Sequence, residues 1–166
     1  MKKWVAILLL MLLLTGCGAQ ETFETLGQVD HQTNLPGPLQ QVLLTLPEHA
    51  ALEAVNQDTG ITVYTCDGYY LVLQTSPAGD LAGTVQTISG FEPEQLTMVE
   101  TACGDHARYD WVWTAVSEEG EMVCRGAVLD DGAYHYSLCA VATSAVAGKL
   151  QQQWNELFAS FCLTTE

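Results

Sequence analysis

The sequence predicts an α+β fold: a mainly antiparallel sheet of about seven strands, with an amphipathic C-terminal helix and a shorter central helix. Three observations carry that prediction. Short runs rich in Val, Tyr, Thr and Leu recur from Gln40 to Val141, punctuated by turn pairs such as Asp67-Gly68 and Asp131-Gly132. Apolar residues at helical spacing are concentrated in Leu81 to Ile88 and Val146 to Phe161. The helices stand apart from runs of strands instead of alternating with each strand, which is the α+β order.

The first stretch is not part of that fold. Lys2 and Lys3 precede an uninterrupted apolar run, Trp4 to Leu14, which leads into Leu14-Thr15-Gly16-Cys17. As a helix the run rises only ~16 Å, about half of a bilayer's hydrocarbon core, so it is too short to span and fits the apolar core of a secretion signal. The Leu-Thr-Gly-Cys order resembles the lipobox of bacterial prolipoproteins. That resemblance implies cleavage before Cys17, a diacylglyceryl thioether on its sulfur, and Cys17 as the mature N-terminus. Two or more acyl chains give stable attachment where one holds weakly, so the partner implied is the membrane. Residues 1–16 are then a signal peptide, 17–38 a lipidated N-terminus and flexible tether closed by Pro36-Gly37-Pro38, and 39–166 a single globular domain. The expected location is the outer face of the cell membrane, or the outer membrane of a diderm host, because Gly18 stands where an inner-membrane retention signal would have Asp.

Within the domain, Gln40 to Leu46 alternates loosely and reads as a first strand stopped by Pro47. Pro47 can open a short helix through Glu48 to Ala54, or a loop. Ile61 to Thr75 is a hairpin around Asp67-Gly68, which sets Cys66 opposite Tyr69 and Tyr64 opposite Leu71. The central helix follows, with Leu81, Val85 and Ile88 on one side, Asp80 as N-cap and Gly90 past its end. Leu96 to Cys103 is a strand. Tyr109 to Val116, Met122 to Leu129 and Tyr134 to Val141 form a meander whose turns are Ser117-Glu118-Glu119-Gly120 and Asp131-Gly132. A helix from Thr143 or Ser144 to about Ser160 closes the chain, with Val146, Leu150, Trp154, Leu157 and Phe161 along its apolar stripe.

If Asp130 pairs with Ala133, Cys124 falls opposite Cys139 at a hydrogen-bonded site, where α-carbons sit ~5.5 Å apart. That distance permits a disulfide, although cross-strand bridges form more easily at the closer, non-hydrogen-bonded sites. The same register puts Arg125, Ala127 and Leu129 on one face with Tyr134, Tyr136 and Leu138, and a three-residue turn adds Trp111 and Trp113. Such a face either receives a helix or is an aromatic binding surface made by Trp111, Trp113, Tyr134 and Tyr136; a covering helix is the stronger reading.

This element order, with Tyr134-His135-Tyr136-Ser137-Leu138 before the last helix and Ala159-Ser160-Phe161 at its end, resembles the PsbP/Mog1-like α/β/α sandwich. The resemblance extends from Gln40 to Leu163. It implies a photosystem accessory protein or small binding adaptor, commonly without enzymatic activity, and it carries no functional residue with it.

Charge and motifs narrow the function further. The formal net charge is −15, and loss of Lys2 and Lys3 with the signal takes it to −17, leaving Arg108, Arg125 and Lys149 against twenty carboxylates. Such a surface repels nucleic acid and anionic headgroups. After Cys17, five cysteines remain (Cys66, Cys103, Cys124, Cys139, Cys162), an odd number without a C-x-x-C pair. His31, His49, His106 and His135 are scattered without metal-binding spacing, and no phosphate-binding glycine motif or G-x-S-x-G occurs, so no metal, cofactor or catalytic residue is assigned. Two hypotheses stand. The preferred one is a non-catalytic binding or accessory domain for a protein, peptide or envelope component; the alternative is a small cell-surface enzyme, for example a hydrolase, built around Cys103, His106 and nearby carboxylates.

Overall fold

Tight turns between alternating strands build most of this molecule. The structure is a computed structural model that describes residues 38–164; the predicted signal, Cys17 and all of the tether except Pro38 lie outside the described residues. In chain order the elements are β1 (Val42–Leu43), β2 (Ala51–Asn56), β3 (Ile61–Cys66), β4 (Tyr69–Pro77), α1 (Leu81–Ser89), a 3-10 turn (Pro93–Gln95), β5 (Met98–Cys103), β6 (His106–Ser117), β7 (Gly120–Asp130), β8 (Tyr134–Thr143), α2 (Ser144–Ser160) and β9 (Cys162–Leu163). Seven strands form one antiparallel sheet in the order β2-β3-β4-β8-β7-β6-β5, and β1 pairs separately with β9. The predicted α+β class is therefore observed.

The hairpin around Asp67-Gly68 has the predicted register, with Cys66 opposite Tyr69 and Tyr64 opposite Leu71. The central helix also has its predicted ends: Asp80 accepts the Ala82 N–H at 3.2 Å, and Gly90, at φ +78°, donates to the Gln86 carbonyl at 2.7 Å. On the other side of the sheet, α2 buries Ala147, Leu150, Trp154, Leu157 and Phe158, and Phe161 just beyond it is fully buried. Burying each such large side chain contributes on the order of 1.5–3 kcal/mol, so this stripe is a main attachment of the helix to the sheet.

The seventh strand is not the one expected. Glu48 to Ala54 does not form a helix; Ala51–Asn56 is an edge strand paired with β3 through an irregularity between Leu52 and Ala54. The predicted first strand shrinks to Val42–Leu43 and leaves the main sheet to pair with the C-terminal residues. Ala, Leu and Glu favour a helix locally, but the unpaired edge of β3 offers a ladder of backbone hydrogen bonds that local preference does not outweigh.

The meander is present, with its registers corrected at both turns. Between β7 and β8 the Asp131 N–H donates to the Tyr134 carbonyl at 3.2 Å, so the two loop residues are Gly132 and Ala133. Gly132 takes the first loop position at φ +84°, and the Asp131 carboxylate accepts the N–H groups of Ala133 and Tyr134 at 2.8 and 2.6 Å. Moving the turn by one residue slides the pairing by two. Cys124 consequently faces Val141 and Cys139 faces Gly126, so the anticipated Cys124–Cys139 bridge is absent and both are free thiols. Between β6 and β7 the loop has two residues, Glu118 and Glu119, because Ser117 pairs with Gly120. That parity turns Trp111 and Trp113 to the α1 face, away from Tyr134 and Tyr136.

Two cores result, one on each side of the sheet. Tyr134, Tyr136, Ala127, Leu129 and Leu138 pack under α2, whereas Trp111, Trp113, Cys124, Val128, Cys139 and Val141 pack with Val85 of α1. The two Trp rings stack at 6.0 Å over Gly126, where a Cβ would come within 2.8 Å of the Trp111 ring. Close approach, not backbone freedom, requires glycine there.

Candidate functional site

A helix is about 10–12 Å wide and strands repeat every ~4.8 Å, so one helix covers only two or three of seven strands. α2 lies on β7 and β8. On its far side the outer strands β6 and β5 keep their α2-facing residues uncovered, and Val112 and Val99 are 56 % and 54 % exposed. Between these valines and the helix runs an open groove of about 680 Å³. Val123 extends its sheet wall, and α2 supplies Ala147, Gly148, Gln151, Trp154 and Asn155. The Trp154 indole N–H has no hydrogen-bond partner.

Arg125 and Asp110 line the same groove. They are neighbours because β6 and β7 pair Asp110 with Ala127 and Val112 with Arg125, a proximity set by register alone. Asp110 is held by Arg108 in a two-pronged contact, Nε to Oδ2 at 2.6 Å and Nη2 to Oδ1 at 2.9 Å. The remaining arm of Arg108 donates to the Phe161 carbonyl at 2.9 Å, at the C-terminal end of α2 where a cation is favoured. Arg125 is less committed. It donates to Asn155 Oδ1 at 2.8 Å, lies 4.3 Å over the Phe158 ring and stands 3.9 Å from Asp110. Burial lowers its pKa from the usual guanidinium value, Asp110 opposes that shift and Arg108 adds to it. Two of the three cations in residues 17–166 thus meet one carboxylate beside an apolar groove.

Just past α2, Cys103 of β5 is bonded to Cys162 of β9 with α-carbons 5.9 Å apart. His106 sits directly opposite Cys103 across the β5–β6 turn, as a cysteine nucleophile would want, but the sulfur is engaged in the bridge. The proposed Cys103 nucleophile is therefore corrected to a half-cystine. The expected aromatic surface is corrected as well: Trp111, Trp113, Tyr134 and Tyr136 are all buried and divide between the two faces. The Cys124 and Cys139 thiols are buried against α1. Burial pushes Cys124 up to about 12, and burial with the neighbouring Cys124 pushes Cys139 well above the ordinary thiol value, so neither is a ready nucleophile.

A hydroxyl, an imidazole and a carboxylate do meet on the α1 face, which the sequence did not reveal. Thr84 Oγ1 lies 2.7 Å from His135 Nδ1, and His135 Nε2 lies 3.7 Å from Asp130 Oδ2. In a hydrolase triad the hydroxyl contacts Nε2 and the carboxylate Nδ1. Here the ring nitrogens are exchanged, the carboxylate is beyond hydrogen-bond reach, and Asp130 Oδ1 accepts the Gly132 N–H of the turn at 2.8 Å. His135, 1 % exposed, fastens α1 to the sheet. Among the described residues no group of three or more His, Cys, Asp or Glu side chains is arranged to hold a metal, and no helix is long and apolar enough to cross a membrane.

No protein-family model and no curated protein matches the sequence. Solved structures do. LpqN of Mycobacterium tuberculosis, a protein involved in cell envelope biogenesis, is 15 % identical with a TM-score of 0.53, over 78 % of this chain and 87 % of that one. The cyanobacterial PsbP (CyanoP) of Synechocystis sp. PCC 6803 is 11 % identical with a TM-score of 0.57, over 74 % and 86 %. PA94 of Pseudomonas aeruginosa, a protein of unknown function, is 13 % identical with a TM-score of 0.51, over 71 % and 99 %. At these identities the likeness is one of fold, and that fold is PsbP-like.

Proposed function

We propose that this is a lipid-anchored envelope accessory protein, a non-catalytic binding domain held at the outer face of a membrane through Cys17 and presenting the groove beside α2 to an envelope component. The observation that carries the reading is the Cys103–Cys162 disulfide. Such bridges belong to oxidising compartments, as an exported protein requires. The basic start, apolar run and Leu14-Thr15-Gly16-Cys17 order support the same location, and the fold is one that an envelope-biogenesis protein also uses. An open, largely apolar groove with polar groups at few points suits recognition of a ligand.

The test is intact mass and membrane partitioning of the natively expressed protein beside Cys17→Ala. A diacylglyceryl-modified chain beginning at Cys17, with mass increment and membrane retention both lost in the variant, is the expected result. An unmodified, soluble wild type would overturn the anchor.

A further inference from the structure

The groove beside α2 combines an apolar floor with a single available cation in a strongly acidic protein, and that combination is selective. We infer that it binds a single-chain amphiphile with an anionic head, of the alkyl carboxylate class, the head on Arg125 and the chain along Val112, Val99 and α2. The inference rests on the proposed binding role and names the ligand class for that site.

Four features of the groove argue for it. Its volume of about 680 Å³ is that of a small-molecule site. Its stretch of α2 runs from Ser144 to Asn155, ~16 Å of helix at 1.5 Å per residue, which suits an extended chain. A peptide laid there would set backbone N–H and C=O groups against the Val112 and Val99 side chains, which offer no hydrogen bonds, whereas an alkyl chain has none to satisfy. The head is fixed by the guanidinium. Arg108 is used up by Asp110 and the Phe161 carbonyl, but Arg125 has five N–H donors and spends only one hydrogen bond, on Asn155, beside its long contact to Asp110. The two arginines and Asp110 sum to a local charge of +1 within a net −15 chain, and a planar carboxylate can take two donors from one guanidinium.

Gly148 provides the decisive variant. It lines the groove, and a Cβ built there meets nothing within 4 Å, so the backbone has room to begin a side chain and Gly148→Leu is the substitution aimed at occupying the groove. Decanoate, 1-decanol and decyltrimethylammonium are titrated by calorimetry, below their micelle concentrations, into the mature-length Cys17→Ala chain, residues 17–166, which carries neither lipid nor the apolar Trp4–Leu14 run and so avoids added detergent. Decanoate is expected to bind at least tenfold more tightly than the alcohol or the cation. Arg125→Gln should reduce decanoate to the level of decanol, and Gly148→Leu should weaken all three at least tenfold with an unchanged circular dichroism spectrum. Absence of decanoate binding, equal binding of decanoate and decanol to the parent chain, or full binding by Gly148→Leu would each overturn the assignment. If Arg125→Gln fails to fold, the ligand series on the parent chain and Gly148→Leu still decide. Lipidation is read on the wild type and ligand binding on Cys17→Ala, so failure of one leaves the other standing.

Discussion

Removing the Cys103–Cys162 bridge should strongly destabilise this domain. The cysteines are 59 residues apart. Closing a loop of that size removes about 14 cal/mol/K of entropy from the unfolded chain, which corresponds to roughly 4 kcal/mol at 25 °C. For a domain of this length about 1 kcal/mol moves the unfolding midpoint by ~4 °C, so reduction or the Cys103→Ser/Cys162→Ser pair should lower Tm by about 15 °C. The assay is thermal and guanidinium unfolding with and without a phosphine reductant, which can reach the sulfurs because both residues are only half-buried. Peptide mapping of the non-reduced protein should return the Cys103–Cys162 cross-link and leave Cys124 and Cys139 as thiols. A fully reduced protein whose stability falls by less than about 1 kcal/mol would rule out this contribution of the bridge, and recovery of a Cys124–Cys139 cross-link would rule out the pairing itself.

Three further perturbations probe other parts of the molecule. Gly126→Ala should destabilise by about 1–3 kcal/mol in guanidinium unfolding, because its methyl group must displace the stacked Trp111 and Trp113 rings, and Trp fluorescence should shift with it. Arg108→Met should cost about 3 kcal/mol, since Asp110 loses its two-pronged partner in a half-buried site and the Phe161 carbonyl loses its donor; Arg108→Lys should recover only part of this in the same titration. Stability should fall as pH rises above about 9: the unfolded chain releases the Cys124 and Cys139 protons near the ordinary thiol value, while the folded chain, with Cys124 raised to about 12 and Cys139 also raised well above that ordinary value by burial, retains them. Each thiol steepens that decline by at most about 1.4 kcal/mol per pH unit, and Cys124→Ala/Cys139→Ala should flatten it between pH 9 and 11 in denaturant titrations.

The parts of the fold legible in the sequence are those fixed by short-range chemistry. Asp67-Gly68 admits one two-residue turn, so the β3–β4 register followed from it. Asp80, the Leu81-Val85-Ile88 spacing and Gly90 define α1 by its own stripe and caps. Where local signals admit two solutions, the prediction divided. Asp131-Gly132 and Gly132-Ala133 can each fill the β7–β8 loop, and the Asp131 carboxylate decides by serving as acceptor for the N–H groups across it. A turn one residue longer between β6 and β7 sent both tryptophans to the wrong face. Contacts between distant segments were not legible at all: nothing in Cys103 names Cys162 among the five candidate cysteines, and nothing in Val42 and Leu43 names the chain's last strand. The groove was partly legible. Arg125 was correctly assigned to the α2 face, but its meeting with Asp110, Val112 and Asn155 depends on pairing register and helix position together.

The disulfide also divides the chain into two covalent bodies. Its loop encloses β6, β7, β8 and α2, while the first four strands and α1 lie outside. A peptidase that cuts at the exposed Glu118-Glu119 turn, inside the loop, cannot release a fragment, because both pieces remain joined through sulfur as well as through the sheet. A cut between β4 and α1, near the exposed Gly79, leaves the two pieces joined only by noncovalent pairing and packing. The covalent loop therefore protects the half that carries β6, β7 and α2, the main walls of the groove, against nicks at the exposed Glu118-Glu119 turn, and it leaves connections outside the loop, β4–α1 among them, as places where a single cleavage can take the domain apart.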